Sequence, residues 1–110
     1  MDPNIWGPHA WFFLHTIAIN YPENPTNEII KKYKRFISSF VEIIPCNTCK
    51  KGIKKIMFKK PLTIKILKNR ELFVGWINDI HNQVNKKLGK KTFTLEESIE
   101  YYRKKYNDSK

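Results

Sequence analysis

Cys46-Asn47-Thr48-Cys49 follows Pro45 and opens a stretch with helical spacing. Cysteines three apart on a helix share a face and lie close enough to bridge. The positive end of a helix favours a thiolate, so such a pair can cycle between dithiol and disulfide. The motif alone leaves other chemistries open: half a zinc site, a thioredoxin-like redox pair, or two small buried hydrophobes. Zinc needs four ligands, and neither a second C-x-x-C nor an H-x₃₋₅-H accompanies this one. His9 and His15 are six apart, too far to be neighbours on one helix face. No metal is therefore expected. A thioredoxin-like domain needs a strand–helix–strand pattern around the cysteines, and the surroundings here read as helical.

Two further clusters carry polar groups on otherwise apolar helix faces. In His81-Asn82-Gln83-Val84-Asn85-Lys86-Lys87-Leu88-Gly89-Lys90, His81 and Asn85 are four apart at the edge of an apolar stripe. Polar groups so placed need partners. They suit a ligand, or a core histidine bonded to a neighbouring helix with its lysines on a solvated face. Trp6-Gly7-Pro8-His9-Ala10-Trp11 leads into Leu14-His15-Thr16. Trp11 and His15 are one helical turn apart, an arrangement that can hold a planar ring between them or pack as ordinary core. Taken together, a redox-capable cysteine pair, a stacking pair, an amide-rich helix and nearby lysines are the parts a flavin dinucleotide requires. No Gly-rich phosphate fingerprint is present, which excludes a Rossmann site. Helix side chains must hold any dinucleotide instead.

The elements that position these residues follow from apolar periodicity. The spacing predicts helices over about Ile5–Asn20, Thr26–Ile44, Pro45–Phe58 and Asn69–Leu88, with a shorter fifth beginning at Thr94. Ile29, Ile30, Tyr33, Phe36, Ile37, Phe40, Val41 and Ile44 form a broad core-facing stripe. Leu72, Phe73, Trp76, Ile77, Ile80, His81, Val84 and Leu88 form another. Pro3 or Pro8 suits the first turn of the first helix, and Pro45 the first position of the third. Thr26 and Asn69 are candidate caps, Gly89 a stop, and Thr94-Leu95-Glu96-Glu97 a capping box. Leu62–Leu67 is the one β-like run. The expected fold is an all-α four-helix bundle with a short fifth helix, one domain over residues 1–110.

Composition agrees. Hydrophobic residues are 41% and charged residues 28% of 110, the balance of a globular chain. No apolar run is long enough for a membrane helix, and Met1-Asp2-Pro3-Asn4 does not read as a secretory signal. Two cysteines exclude a disulfide scaffold. The formal charge is +11, from 21 Lys and Arg against 10 Asp and Glu. Only Arg35, Arg70 and Arg103 are arginines, whereas nucleic-acid readers favour Arg. The abundance of Lys, Asn and Ile matches the codons of an AT-rich genome. A basic nucleic-acid-binding module would leave the C-x-x-C and the His81–Lys90 block unexplained. A silent dimerisation module would leave the retained cysteines unexplained.

The chain resembles the Erv/ALR family of FAD-linked sulfhydryl oxidases. The resemblance is carried by Trp11-x-x-x-His15-Thr16 with Tyr21-Pro22, by Pro45-Cys46-x-x-Cys49, and by Trp76-x-x-x-x-His81-Asn82-x-Val84-Asn85-x-Lys87-Leu88-Gly89-Lys90. It implies non-covalent FAD at the bundle mouth and a homodimer. It also implies an activity that turns substrate dithiols into disulfides and oxygen into hydrogen peroxide. Carried over, Cys46 corresponds to the outer cysteine that exchanges with substrate, and Cys49 to the one beside the flavin. Gly7, Trp11, His15, His81, Asn82, Asn85 and Tyr102 correspond to cofactor contacts, with Lys87 and Lys90 towards the phosphates. Many relatives add a second, shuttle pair of cysteines, which this chain lacks. Substrate protein dithiols, a thioredoxin-like protein's among them, are then expected to reach Cys46 directly. Short, shuttle-free members resemble those of large cytoplasmic DNA viruses, which implies the host cytoplasm or the virion.

Overall fold

The computed structural model describes residues 1–108; residues 109 and 110 of the expected domain lie outside the described residues. Within the described residues six helices follow one another: α1 (Pro3–Ile19), α2 (Asn27–Ile43), α3 (Asn47–Lys59), α4 (Ile64–Leu67), α5 (Arg70–Lys87) and α6 (Leu95–Asp108). Among the described residues there is no strand. Nor is any helix among them long and apolar enough to cross a membrane.

Most helix starts are set by one side chain that satisfies an orphan amide. Asp2 accepts from the Asn4 amide (2.9 Å), Thr26 from Ile29 (3.2 Å) and Asn69 from Leu72 (3.0 Å). Because Asp2 caps α1, that helix starts at Pro3 and Pro8 falls inside it. The capping box forms in full: Thr94 Oγ1 accepts from the Glu97 amide, and the Glu97 carboxylate accepts from the Thr94 amide. Those bonds hold the Glu97 carboxyl below its usual range. α5 stops in a Schellman turn, with Gly89 at φ 68° donating to Lys86 O and Lys90 donating to Asn85 O.

Three sequence expectations change. Leu62–Leu67 is not a strand. Thr63 caps a single turn, accepting from the Ile66 amide, and the chain coils into α4. Pro45 does not start α3. It forces Ile44 into an extended conformation (φ −60°, ψ 137°), which ends α2, and Cys46 caps the next helix. The last helix has 14 residues and is not shorter than α3, which has 13.

The core lies along α5, whose Phe73, Val74, Trp76, Ile77 and Ile80 are buried. Leu14 and Ala18 of α1, Ile30 and Ile37 of α2, Ile56 of α3 and Leu67 of α4 pack against it. Fully buried Ala18 permits close approach of α1 and α5. Leu72 and Leu88, expected on the α5 stripe, are exposed, Leu88 at the cavity described below.

Tyr21 ties the bundle together below the site. Its ring is fully buried against Tyr33 and Phe73. Its hydroxyl donates to Leu67 O at 2.6 Å, at the end of α4. Its own carbonyl accepts from the Arg70 guanidinium. Burial raises the Tyr21 pKa, so the hydroxyl stays a donor at neutral pH. Tyr21→Phe leaves the Leu67 carbonyl without this donor and is expected to cost about 1–3 kcal/mol in urea unfolding, with the denaturant slope unchanged.

Candidate functional site

Cys46 and Cys49 form a disulfide, with Cα atoms 5.2 Å apart. Cys46 is the extended N-cap of α3 (φ −160°, ψ 104°), and its Sγ accepts from the Cys49 amide at 3.1 Å. Cys49 lines a cavity of about 640 Å³, and Cys46 does not. The bridge thus links a sulfur in the cavity wall to one at the start of the helix. That volume falls within the range of about 300–1,000 Å³ seen for small-molecule and cofactor sites.

The cavity runs between α1, α2, α3, α5 and the turn after α5. Leu14, Ile37, Phe40, Trp76, Ile77 and Ile80 make its walls mostly apolar. Asn85, His81, Lys90 and Lys91 bring polar and cationic groups to it. The Schellman turn folds Lys90 back towards Asn85, and the Lys90 charge contributes to the lowered pKa of His81. Lys87 lies elsewhere, on a separate depression with Lys55, Lys59 and Lys60.

His81 of the wall is backed by a second histidine, His15. His15 Nε2 and His81 Nδ1 are 2.8 Å apart, so one donates to the other. His81 stacks on Trp11 at 4.0 Å and 3°, and His15 stacks on Tyr102 at 4.2 Å and 13°. Trp11 and His15 therefore do not form a slot for a planar ring: they are tilted by 50° with centroids 6.2 Å apart. The reason is the hydrogen bond, which pairs His15 with α5 while Trp11 covers His81. Burial lowers His15 to about 3, with His81 adding to the shift. Burial, then Lys90, lowers His81 to about 4. Both rings are neutral at neutral pH. Burial, then Tyr101, pushes Tyr102 up to about 12.

Asparagines hold the rim. Asn82 exchanges two hydrogen bonds with Phe93, donating to its carbonyl (2.7 Å) and accepting from its amide (3.0 Å). Asn85 donates to Lys91 O (3.1 Å). Asn78 donates to Phe93 O and accepts from Ser98 Oγ of α6. Sequence reasoning did not single out Asn78, Ser98 or Phe93. The signal was present: Asn78, Asn82 and Asn85 recur at four and three on one helix face.

Of the residues carried over by resemblance, Gly7, Trp11, His81, Asn85, Lys90 and Cys49 meet at the cavity. His15, Asn82 and Tyr102 stand one layer behind or at the rim, bonded or stacked to its components. Trp6, Trp76 and Lys91, which the resemblance does not name as cofactor contacts, also line the wall.

The Erv1 / Alr family profile matches residues 8–106. The chain belongs to the Erv1/Alr family. A probable FAD-linked sulfhydryl oxidase of Acanthamoeba polyphaga mimivirus is 42% identical over 100 residues, covering 91% of this chain and 70% of that protein. A putative FAD-linked sulfhydryl oxidase of Invertebrate iridescent virus 6 is 36% identical over 94 residues, covering 82% and 85%. The crystal structure of the yeast Erv1 core superimposes with a TM-score of 0.83 at 31% identity, covering 93% of this chain and 84% of that one.

Two local features fit a bound cofactor of the kind this family's relatives are named for. A Cβ on Gly7 would meet nothing within 4 Å, so this wall position leaves open space where Ala would favour the helix by about 1 kcal/mol. Trp6 Nε1, in the same wall, is the one buried side-chain polar atom among the described residues without a hydrogen-bond partner. Such orphans in native folds call for a partner.

The histidine pair sets a pH dependence. In the unfolded chain both imidazoles protonate near pH 6.5, whereas in the fold they stay neutral down to about 4 and about 3. The unfolded state binds more protons across that window, so stability falls as pH drops from about 6.5 to about 4. Thermal unfolding across this range is expected to show that loss, and His15→Phe to flatten it.

Proposed function

We propose that this chain is an FAD-linked sulfhydryl oxidase that introduces disulfides into substrate proteins. The observation that carries the reading is the placement of the disulfide. Cys49 faces the cavity that Trp11, His81, Asn85 and Lys90 surround, and Cys46 stands outside it.

The residues divide the work accordingly. A substrate thiolate attacks Cys46 Sγ, breaking the Cys46–Cys49 bond and forming a mixed disulfide. The positive end of α3 favours the Cys49 thiolate that leaves, and the Cys49 amide donates to Cys46 Sγ, the sulfur under attack. The second substrate thiol displaces Cys46, giving a substrate disulfide and a Cys46/Cys49 dithiol that has gained two electrons and two protons. Trp11, His81, Asn85 and Lys90 would hold FAD beside Cys49, where it would supply the two-electron acceptor that the dithiol needs, with oxygen as the final oxidant. The balanced outcome is two thiols and one oxygen converted to one disulfide and one hydrogen peroxide. The apolar walls exclude water from Cys49, the neutral His81 and Trp11 offer a flat surface, and Lys90 and Lys91 supply positive charge for a pyrophosphate.

The same reading takes a homodimer as the working unit; Phe13 and Phe36, in edge contact across α1 and α2, are exposed apolar surface available to it. A thioredoxin-like protein is the proposed relay, and the viral relatives support the host cytoplasm or the virion as the site of action.

Purified protein is expected to show a flavin absorption spectrum, or to acquire one on incubation with FAD. It should consume oxygen when dithiothreitol is added under air. Protein that cannot be loaded with FAD, or loaded protein that leaves dithiothreitol unoxidised, contradicts the reading.

A further inference from the structure

Residues 43–70 contain no Asp or Glu, and all ten acidic residues of the chain lie outside them. The same stretch carries eight lysines and Arg70. An AT-rich genome raises lysine everywhere, but it does not clear carboxylates from one segment. This segment is the one that holds the redox disulfide. Lys50, Lys51, Lys54, Lys55 and Lys59 lie on α3, and Lys60 caps its end. Neighbouring elements neutralise little of this charge. Glu42 of α2 pairs with Lys54, and Asp79 of α5 approaches Lys60 at 3.9 Å. Among the described residues no carboxylate lies within ion-pair distance of Lys50, Lys51, Lys55 or Lys59.

Position gives the charge a consequence. With a rise of about 1.5 Å per residue, Lys50 to Lys55 sit roughly 6–14 Å along the axis from Cys46. A protein partner covers about 800 Å² of surface, a disc of roughly 16 Å radius. A protein partner centred on Cys46 would extend over this length of α3, within reach of its lysine side chains and beside the positive end of the helix. Lys51 and Lys55 are exposed, and neither lines the cavity.

We propose that the lysine face of α3 is the docking surface for the substrate protein, and that this substrate presents its dithiol within an acidic segment. The inference rests on the oxidase reading and names the class of substrate that reading leaves open. Opposite charge steers encounter and fixes register, acting mainly through association and weakening with salt.

The test uses FAD-loaded full-length protein and three peptides with the same Cys-x-x-Cys, flanked by Glu, Ser or Lys. Oxygen uptake is expected to give kcat/KM at least about tenfold higher for the Glu peptide than for the Lys peptide at low salt. The difference should shrink towards unity in 0.5 M salt, about a 4 Å screening length. The Lys51→Glu/Lys55→Glu variant should reverse the order, and Lys51→Ser/Lys55→Ser should fall between. Dithiothreitol, which carries no charge, should turn over equally in all three proteins. Equal rates for the three peptides with dithiothreitol still oxidised would sink the docking proposal and leave the oxidase reading intact. Failure to oxidise dithiothreitol strikes the oxidase reading itself. Single-stranded DNA that inhibits in the absence of any peptide preference would assign the face to nucleic acid and overturn the proposal.

Discussion

Asn78, His81, Asn82 and Asn85 form a row of polar side chains on α5 that is largely taken out of water. Each must find a partner or leave an unpaired group at a cost of about 1–3 kcal/mol. The partners come from three directions. α1 supplies His15, the turn after α5 supplies the backbone of Lys91 and Phe93, and α6 supplies Ser98. One register of α1, α5 and α6 satisfies all of them at once. That register brings Trp11 over His81, turns Lys90 towards the cavity and sets Tyr102 against His15. The cavity is the space this arrangement encloses with α2 and α3.

The disulfide depends on a second constraint, the absence of any linker between α2 and α3. Pro45 stops α2 and Cys46 at once caps α3, so the redox pair spans a helix boundary. An extended residue followed three positions later by a helical one places one sulfur in the wall and the other outside it. A dithiol entering from solvent and a cofactor within the cavity can then be served by the same bond without movement of the backbone. The charge of the protein follows the same division. Its carboxylates are absent from the segment around the disulfide, while Lys90 and Lys91 serve the far end of the cavity.

Much of this was legible in the residues. Periodicity located the long helices, and Thr26, Asn69 and the Thr94–Glu97 box were readable caps because capping is local chemistry. Local rules failed where a short or distant partner decides. α4 has four residues, too few for periodicity, and the alternation of Thr63, Ile64 and Ile66 mimics a strand. Spacing placed Trp11 and His15 one turn apart, but the partner that orients His15 is 66 residues away. Lys87 and Lys90 look alike in sequence; the positive φ at Gly89 sends only Lys90 to the cavity. Asn78 and Ser98 meet through α6, a contact no pattern within either helix reports.

The most direct test of this division between an inner and an outer sulfur is the visible spectrum of two FAD-loaded single-cysteine variants at mildly alkaline pH. Cys46→Ser retains Cys49 as a free thiolate against the bound flavin, and should add a long-wavelength charge-transfer absorbance beyond the flavin bands. Cys49→Ser retains only the outer sulfur and should show the flavin bands alone. A charge-transfer band in Cys49→Ser, or its absence from Cys46→Ser with flavin bound, would contradict the account.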